Sequence, residues 1–294
     1  MINNKFRQAL IENSSIFERP EEDANIEPLR FVVISTEGTE TEPSYFNNLN
    51  YLLSENHINL RFLVLEHVSG ENTPERLVEL LRECKSVQCE DLISPTFLEI
   101  LKNDFSDNTI KFNLDKEKIL DKKNIKKHLL AYGIDIDFHK FLKKYDRQCD
   151  TFVVILDRDA KNHSLESLQT AHDICTKERF DFCMTNPCFE FWLFLHLFDK
   201  NKLPKFLYNK ILENEKVSSK HTFMSKKLSQ LAHHNKKLSR KKFLQYYAKT
   251  IPVAIKNAEL FATDFQGIQN ELGTNLGVFL SAIESKYAFL FTQL

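Results

Sequence analysis

With 294 residues, 42% of them apolar and 25 of them phenylalanine, the chain can bury a large core, which excludes a disordered or low-complexity protein. No stretch reaches the ~18 apolar residues of a membrane helix, and the polar, acidic first 28 residues do not read as a signal peptide, so no membrane partner and a cytoplasmic location are expected. The net charge of −1 conceals a segregation: residues 1–198 carry −10, residues 199–258 carry +12 and residues 259–294 carry −3. Mixed charges suffice for solubility, so this division suggests an acidic site in one region and a polyanion-binding surface in another. Lysine-rich solvated helix faces are the plainer alternative.

In chain order, residues 1–28 form an N-terminal extension with little pattern. Residues 30–35 read as a β-branched strand, and 43–54 as a helix opened by Glu42 and Pro43. A second strand is expected over 61–68, then a helix from Pro74 to about Lys85 with Thr73 at its N-cap. From about 86 to 149 the pattern loosens into charged helical segments, read as an insertion. Residues 150–156 form a buried strand ending on Asp157-Arg158-Asp159. A helix over 164–177 follows, then a strand over 180–185, and Asn186-Pro187 opens a helix in CFEFWLFLHLF. Strands alternating with helices predict an α/β domain over 29–199 with a parallel sheet. Residues 200–294 read as a basic helical region, broken near Pro204, Pro252 and Gly267–Gly277. None of the six cysteines (Cys84, Cys89, Cys149, Cys175, Cys183 and Cys188) falls in a C-x-x-C pair, so reduced, mostly buried thiols are expected.

Parallel strands end on one edge, where ligands bind. Glu37 follows the first strand, Asp157 and Asp159 follow the third, and Glu190 begins the helix after the fourth. Strand alternation would aim both aspartates to one side. Four acids from three places in the sequence are thus expected in one crevice, where a hard divalent cation would relieve their repulsion. Each has a plainer reading by itself. Glu37-Gly38 is a loop signal, Glu190 and the pair Glu40 and Glu42 are acids at helix N-termini, and His196 on the Phe189–Trp192–Leu193 face is a satisfied core histidine. The joint placement is what points to metal chemistry.

STEGTETEPSYF at 35–46, VVILDRDA at 153–160, NPCFEFWLFLH at 186–196 and the tail from 254 to 283 together resemble the RloB family. A strand ending in Glu-Gly and a later strand ending in Asp-x-Asp resemble, more broadly, the TOPRIM fold of primases, topoisomerases and OLD-type nucleases. The resemblance implies a TOPRIM-like parallel sheet flanked by helices, and a nuclease of phage-defence (abortive-infection) operons that works beside an ABC/AAA-type ATPase. It implies Mg²⁺ or Mn²⁺ held by Glu37, Asp157 and Asp159, and Glu42, Glu190 and His196 fall on characteristic family positions, Glu190 as a further catalytic acid and the other two in support. Arg158, set between the two aspartates, is either a ligand of the scissile phosphate or an exposed salt-bridge arginine. Many TOPRIM proteins carry a second acid four residues after the glutamate; here Glu42 stands at plus five. The chain has no G-x-x-x-x-G-K-[ST] loop and only six glycines, which argues against nucleotide hydrolysis.

Metal-dependent cleavage of DNA or RNA, with tRNA among the candidate substrates, is the function expected; the alternative is a non-catalytic subunit binding nucleic acid or the ATPase. Lys226, Lys227, Lys236, Lys237, Arg240, Lys241 and Lys242, interleaved with Phe243, Tyr246 and Tyr247, are candidates for tracking phosphates. Helical spacing makes Leu238, Phe243 and Tyr246 equally candidates for the core. A homo-oligomer is compatible with all of this.

Overall fold

A computed structural model describes residues 30–65, 73–86, 150–198, 205–219, 221–233, 237–287 and 291. The N-terminal extension and nearly all of the expected insertion over 86–149 lie outside the described residues.

Four parallel strands form the centre: β1 (Arg30–Thr36), β2 (Leu60–Leu65), β3 (Thr151–Asp157) and β4 (Asp181–Asn186), with a short fifth strand, β5 (Gly273–Thr274), antiparallel to β4. Their order is β2-β1-β3-β4-β5. The apolar runs FVVI and FVVIL suit strands covered on both faces. Val32, Ile34, Phe62, Val64, Val153 and Ile155 enter one core, and their neighbours Phe31, Val33, Leu63, Leu65, Phe152, Val154 and Leu156 enter the other. The expected α/β class is met.

The helices are α1 (Thr41–Glu55), α2 (Pro74–Ser86), α3 (Leu165–Glu178), α4 (Phe189–Leu195), α5 (Lys205–Glu213), α6 (Phe223–Ala232), α7 (Arg240–Tyr246), α8 (Ile251–Ala258), α9 (Phe265–Asn270) and α10 (Leu276–Tyr287). Residues of α2 and α3 fill one core. Those of α1, α4, α6, α7, α8 and α10 fill the other, so the basic C-terminal region shares a core with the sheet. Thr73 caps α2 through Arg76 N, as its position predicts.

The break expected near Gly267–Gly277 holds a short strand, Gly273 and Thr274 pairing with Asn186 and Thr185. A Cβ at Gly273 would stand 2.1 Å from the Ala262 carbonyl oxygen, so only glycine lets these chains approach. Asn275 extends the pairing, accepting from Met184 N and donating to the Phe182 carbonyl. One expectation changes at α4, whose N-cap is Cys188. Asn186 instead donates its side-chain amide to the Ile268 carbonyl at 2.7 Å and ties β4 to α9.

Candidate acidic active site

The site is built where β1, β3 and β4 end. Thr36 lies opposite Ile155 and Asp157 opposite Thr185, so the residues that leave these strands emerge side by side. Glu37 donates its backbone N–H to the Ile155 carbonyl, and its Oε2 accepts from Asp157 N at 3.1 Å. Asp157 Oδ1 in turn accepts from Phe189 N at 2.7 Å, which fixes the start of α4 and brings Glu190 to the same edge. Helix α1 begins two residues earlier than the sequence suggests, which sets Glu42 in its first turn, only 4% exposed. Gly38 makes room for it, since a Cβ there would fall 2.0 Å from Glu42 Oε2. This close approach is the steric reason for glycine after Glu37.

These carboxylates act on one another. Burial pushes the Glu42 carboxyl up to about 8, with the charges of Glu190 and Glu37 adding to the rise and backbone hydrogen bonds at Glu42 and Gly38 opposing it. Burial, followed by the charges of Glu42, Glu37 and Glu190, holds Asp157 well above the usual carboxylate range. A proton or a cation relieves such crowding. Among the described residues, no three His, Cys, Asp or Glu groups are set to hold a metal ion as they stand. Mg²⁺ commonly takes only one or two carboxylates and completes its shell with water and substrate phosphate. The hard oxygen donors of this cluster fit that mode.

Asp159 departs from the expected alternation. Strand β3 stops at Asp157, and Asp159 takes φ 21°. Its Oδ2 accepts from Asn162 Nδ2 at 2.7 Å, its Oδ1 from Lys161 N at 3.3 Å, and its carbonyl from the amides of Asn162 and His163. The turn returns His163 to the cluster, with Nε2 3.1 Å from Glu37 Oε2. His163 is 8% exposed, and its Nε2 faces Glu37 Oε2 in an ion-pair contact whose geometry falls short of an aligned hydrogen bond. The Glu37 carboxylate raises its pKa, burial opposes this, and the Asp159 charge adds to the rise.

A family model described as RloB-like protein matches residues 32–283. The chain belongs to the RloB-like family. No curated protein and no solved structure matches it.

Not every expected site residue of this RloB-like protein reaches the cluster. Glu37, Asp157, Glu190 and Glu42 do. Arg158 does not approach it as a phosphate ligand: it is buried and donates to the carbonyls of Gln269 and His163, tying α9 to the turn. His163 escaped the sequence reading because its contact with Glu37 depends on a turn, although its position four residues after Asp159 was a usable signal.

His196 is a core residue. It is 3% exposed, Nε2 meets the Tyr45 hydroxyl at 3.3 Å, and Nδ1 faces the Tyr247 carbonyl and Thr250 Oγ1. A proton on Nδ1 satisfies that carbonyl and leaves Nε2 to accept from Tyr45. Burial lowers the imidazole pKa to about 3. The folded protein therefore resists protonation there, and stability falls as pH drops below 6.5, the ordinary value, towards 3. His196→Leu is expected to cost roughly 1–3 kcal/mol for each buried group it strands, with the activity of folded molecules unchanged. Urea denaturation and specific activity check the two halves of this expectation.

Of the basic candidates, Lys226, Lys237, Arg240 and Lys241 are exposed, Lys227 and Lys242 are half-buried, and Lys236 lies outside the described residues. Phe243 and Tyr247 are fully buried, which removes them as stacking residues, and Tyr246 packs partly buried against the core. Leu238 docks on α1, its N–H donating to Ser44 Oγ and its carbonyl accepting from Asn48 Nδ2. Arg240 lies over the Tyr51 ring at 4.0 Å. The basic stretch is thereby anchored on the helix whose first turn carries Glu42.

Proposed function

We propose that this RloB-like protein is a metal-dependent nuclease that hydrolyses phosphodiester bonds of DNA or RNA, tRNA included, as the TOPRIM-like effector of an anti-phage defence system. The observation that carries this reading is the convergence of Glu37, Glu42, Asp157 and Glu190 at the C-terminal edge of the parallel strands, with the carboxyl pKa of Asp157 and Glu42 raised. Glu37 and Asp157 would hold Mg²⁺ or Mn²⁺, Glu190 standing beside them. A cation held there would supply positive charge against the negative charge that builds on the phosphate and would acidify water. Glu37, anchored through Oε2, accepts a proton from the attacking water. Glu42 forms the buried wall of the cluster. An ABC/AAA-type ATPase belongs to the same proposal as a partner.

The anchoring of the basic stretch on α1 supports a path for a polyanion towards the acids. Lys237→Glu, Arg240→Glu and Lys241→Glu combined are expected to weaken nucleic-acid binding about equally for all sequences. They should also reduce the slope of log affinity against log salt by about 2–3. Fluorescence anisotropy at several salt concentrations measures both.

The test is wild type and Glu37→Ala against plasmid DNA, single-stranded DNA and total tRNA, each with Mg²⁺, Mn²⁺ or EDTA. Cleavage by wild type in either metal, abolished by EDTA and by Glu37→Ala, is the expected result. The second reading, a non-catalytic binding subunit, is favoured by the absence of any ready three-ligand group among the described residues. It predicts binding without cleavage in every arm, with the ATPase partner supplied.

A further inference from the structure

We propose that His163 is a positioning residue of the acidic site, and that Asp159 serves the site by closing the turn that seats His163 rather than by binding the cation. The inference rests on the nuclease reading above. Both carboxylate oxygens of Asp159 already receive donors of its own loop, and its carbonyl receives two more. Arg158 reinforces the turn by donating to the His163 carbonyl at 3.2 Å. The product of these contacts is one placement: a buried imidazole nitrogen in ion-pair contact with Glu37 Oε2 at 3.1 Å. The same oxygen accepts from Asp157 N at 3.1 Å. Glu37 is thus gripped through Oε2 from two sides, which fixes its rotamer at the strand ends where the cation and substrate phosphate would sit. A carboxylate that orients itself by one bond alone would wander, and support of this kind commonly matters as much as the ligands it steadies.

The experiment uses the full chain, Mn²⁺ as probe, calorimetry on the protein alone, and single-turnover cleavage of whichever of plasmid DNA, single-stranded DNA or tRNA the wild type cuts. Asp159→Ala and His163→Ala are each expected to lower Mn²⁺ affinity or cleavage by about 10–100-fold. Asp159→Asn keeps the acceptor of the turn and His163→Gln keeps an N–H near Glu37, so both recover most of the loss. The double alanine variant is no worse than the more damaging single one, because the two residues act through one contact. The proposal is overturned if Asp159→Asn loses Mn²⁺ binding as fully as Asp159→Ala does, which would make Asp159 a ligand, or if the two alanine losses add. A wild type that binds Mn²⁺ and cuts while His163→Ala is indifferent removes this inference alone. A wild type that neither binds nor cuts removes the nuclease reading and this inference together.

Discussion

Asp157→Asn is expected to lower metal-dependent cleavage by about 100- to 1000-fold, the scale on which the loss of one group aimed at transition-state charge is felt, and to leave the protein folded and more stable. The two halves have one cause. Asp157 is held by Phe189 N at 2.7 Å, and an asparagine Oδ1 can accept the same bond, so the start of α4 survives. What the substitution removes is a negative charge crowded by Glu42, Glu37 and Glu190. Relief of that crowding stabilises the fold, while loss of the charge removes the attraction for a cation. Activity and stability moving in opposite directions mark a group kept for chemistry. Urea denaturation at pH 8 beside single-turnover cleavage reads both, and a variant that loses activity and stability together would make Asp157 a structural residue instead.

The second large effect concerns Glu42 and pH. Its carboxyl titrates at about 8 in the fold, against 4.5 as its ordinary value. Between those values the folded state binds the proton more tightly than the unfolded chain, so stability falls as pH rises through that window and levels off above it. The loss across the whole window is on the order of 5 kcal/mol. Because Asp157, Glu37 and Glu190 share the cluster, the proton belongs to the group rather than to Glu42 alone. Glu42→Gln should flatten the profile and stabilise the protein most at pH 8. Saturating Mg²⁺ should restore part of the wild-type loss at high pH, since the cation replaces the proton. Thermal unfolding from pH 5 to pH 8.5, with and without Mg²⁺, measures this.

Much of the acidic edge was legible from spacing. Glu37 and Asp157 each close a short apolar run whose length and β-branched residues favour a buried strand over a helix, so their ends fall together once the sheet is parallel. Glu190 followed from the short link between β4 and α4. The unread parts all depend on contacts between residues far apart in sequence. Strand β5 is two residues long, too short for any periodicity, and its cause is the close approach of Gly273 to Ala262. Glu42 is the helix N-terminal acid its position predicts, but its burial was not legible, because the space it fills is made by an absent side chain at Gly38. Asp159 fitted the alternation until φ turned positive there, and only that turn carries His163 to Glu37. The aromatic residues of the basic stretch posed the opposite problem. Phe243 and Tyr247 sit among lysines in sequence yet face inward, since a helix separates neighbours by about 100°.

If the four carboxylates form a cation site, Mn²⁺ calorimetry at pH 7 in two buffers of different ionisation enthalpy will show it. Saturable binding with release of about one proton is predicted, because a site that holds a proton in the absence of metal must give it up. Both the binding and the proton release should disappear in Asp157→Asn. Saturable binding that persists unchanged in Asp157→Asn, or no binding by the wild type, would mean that the carboxylates do not form a cation site.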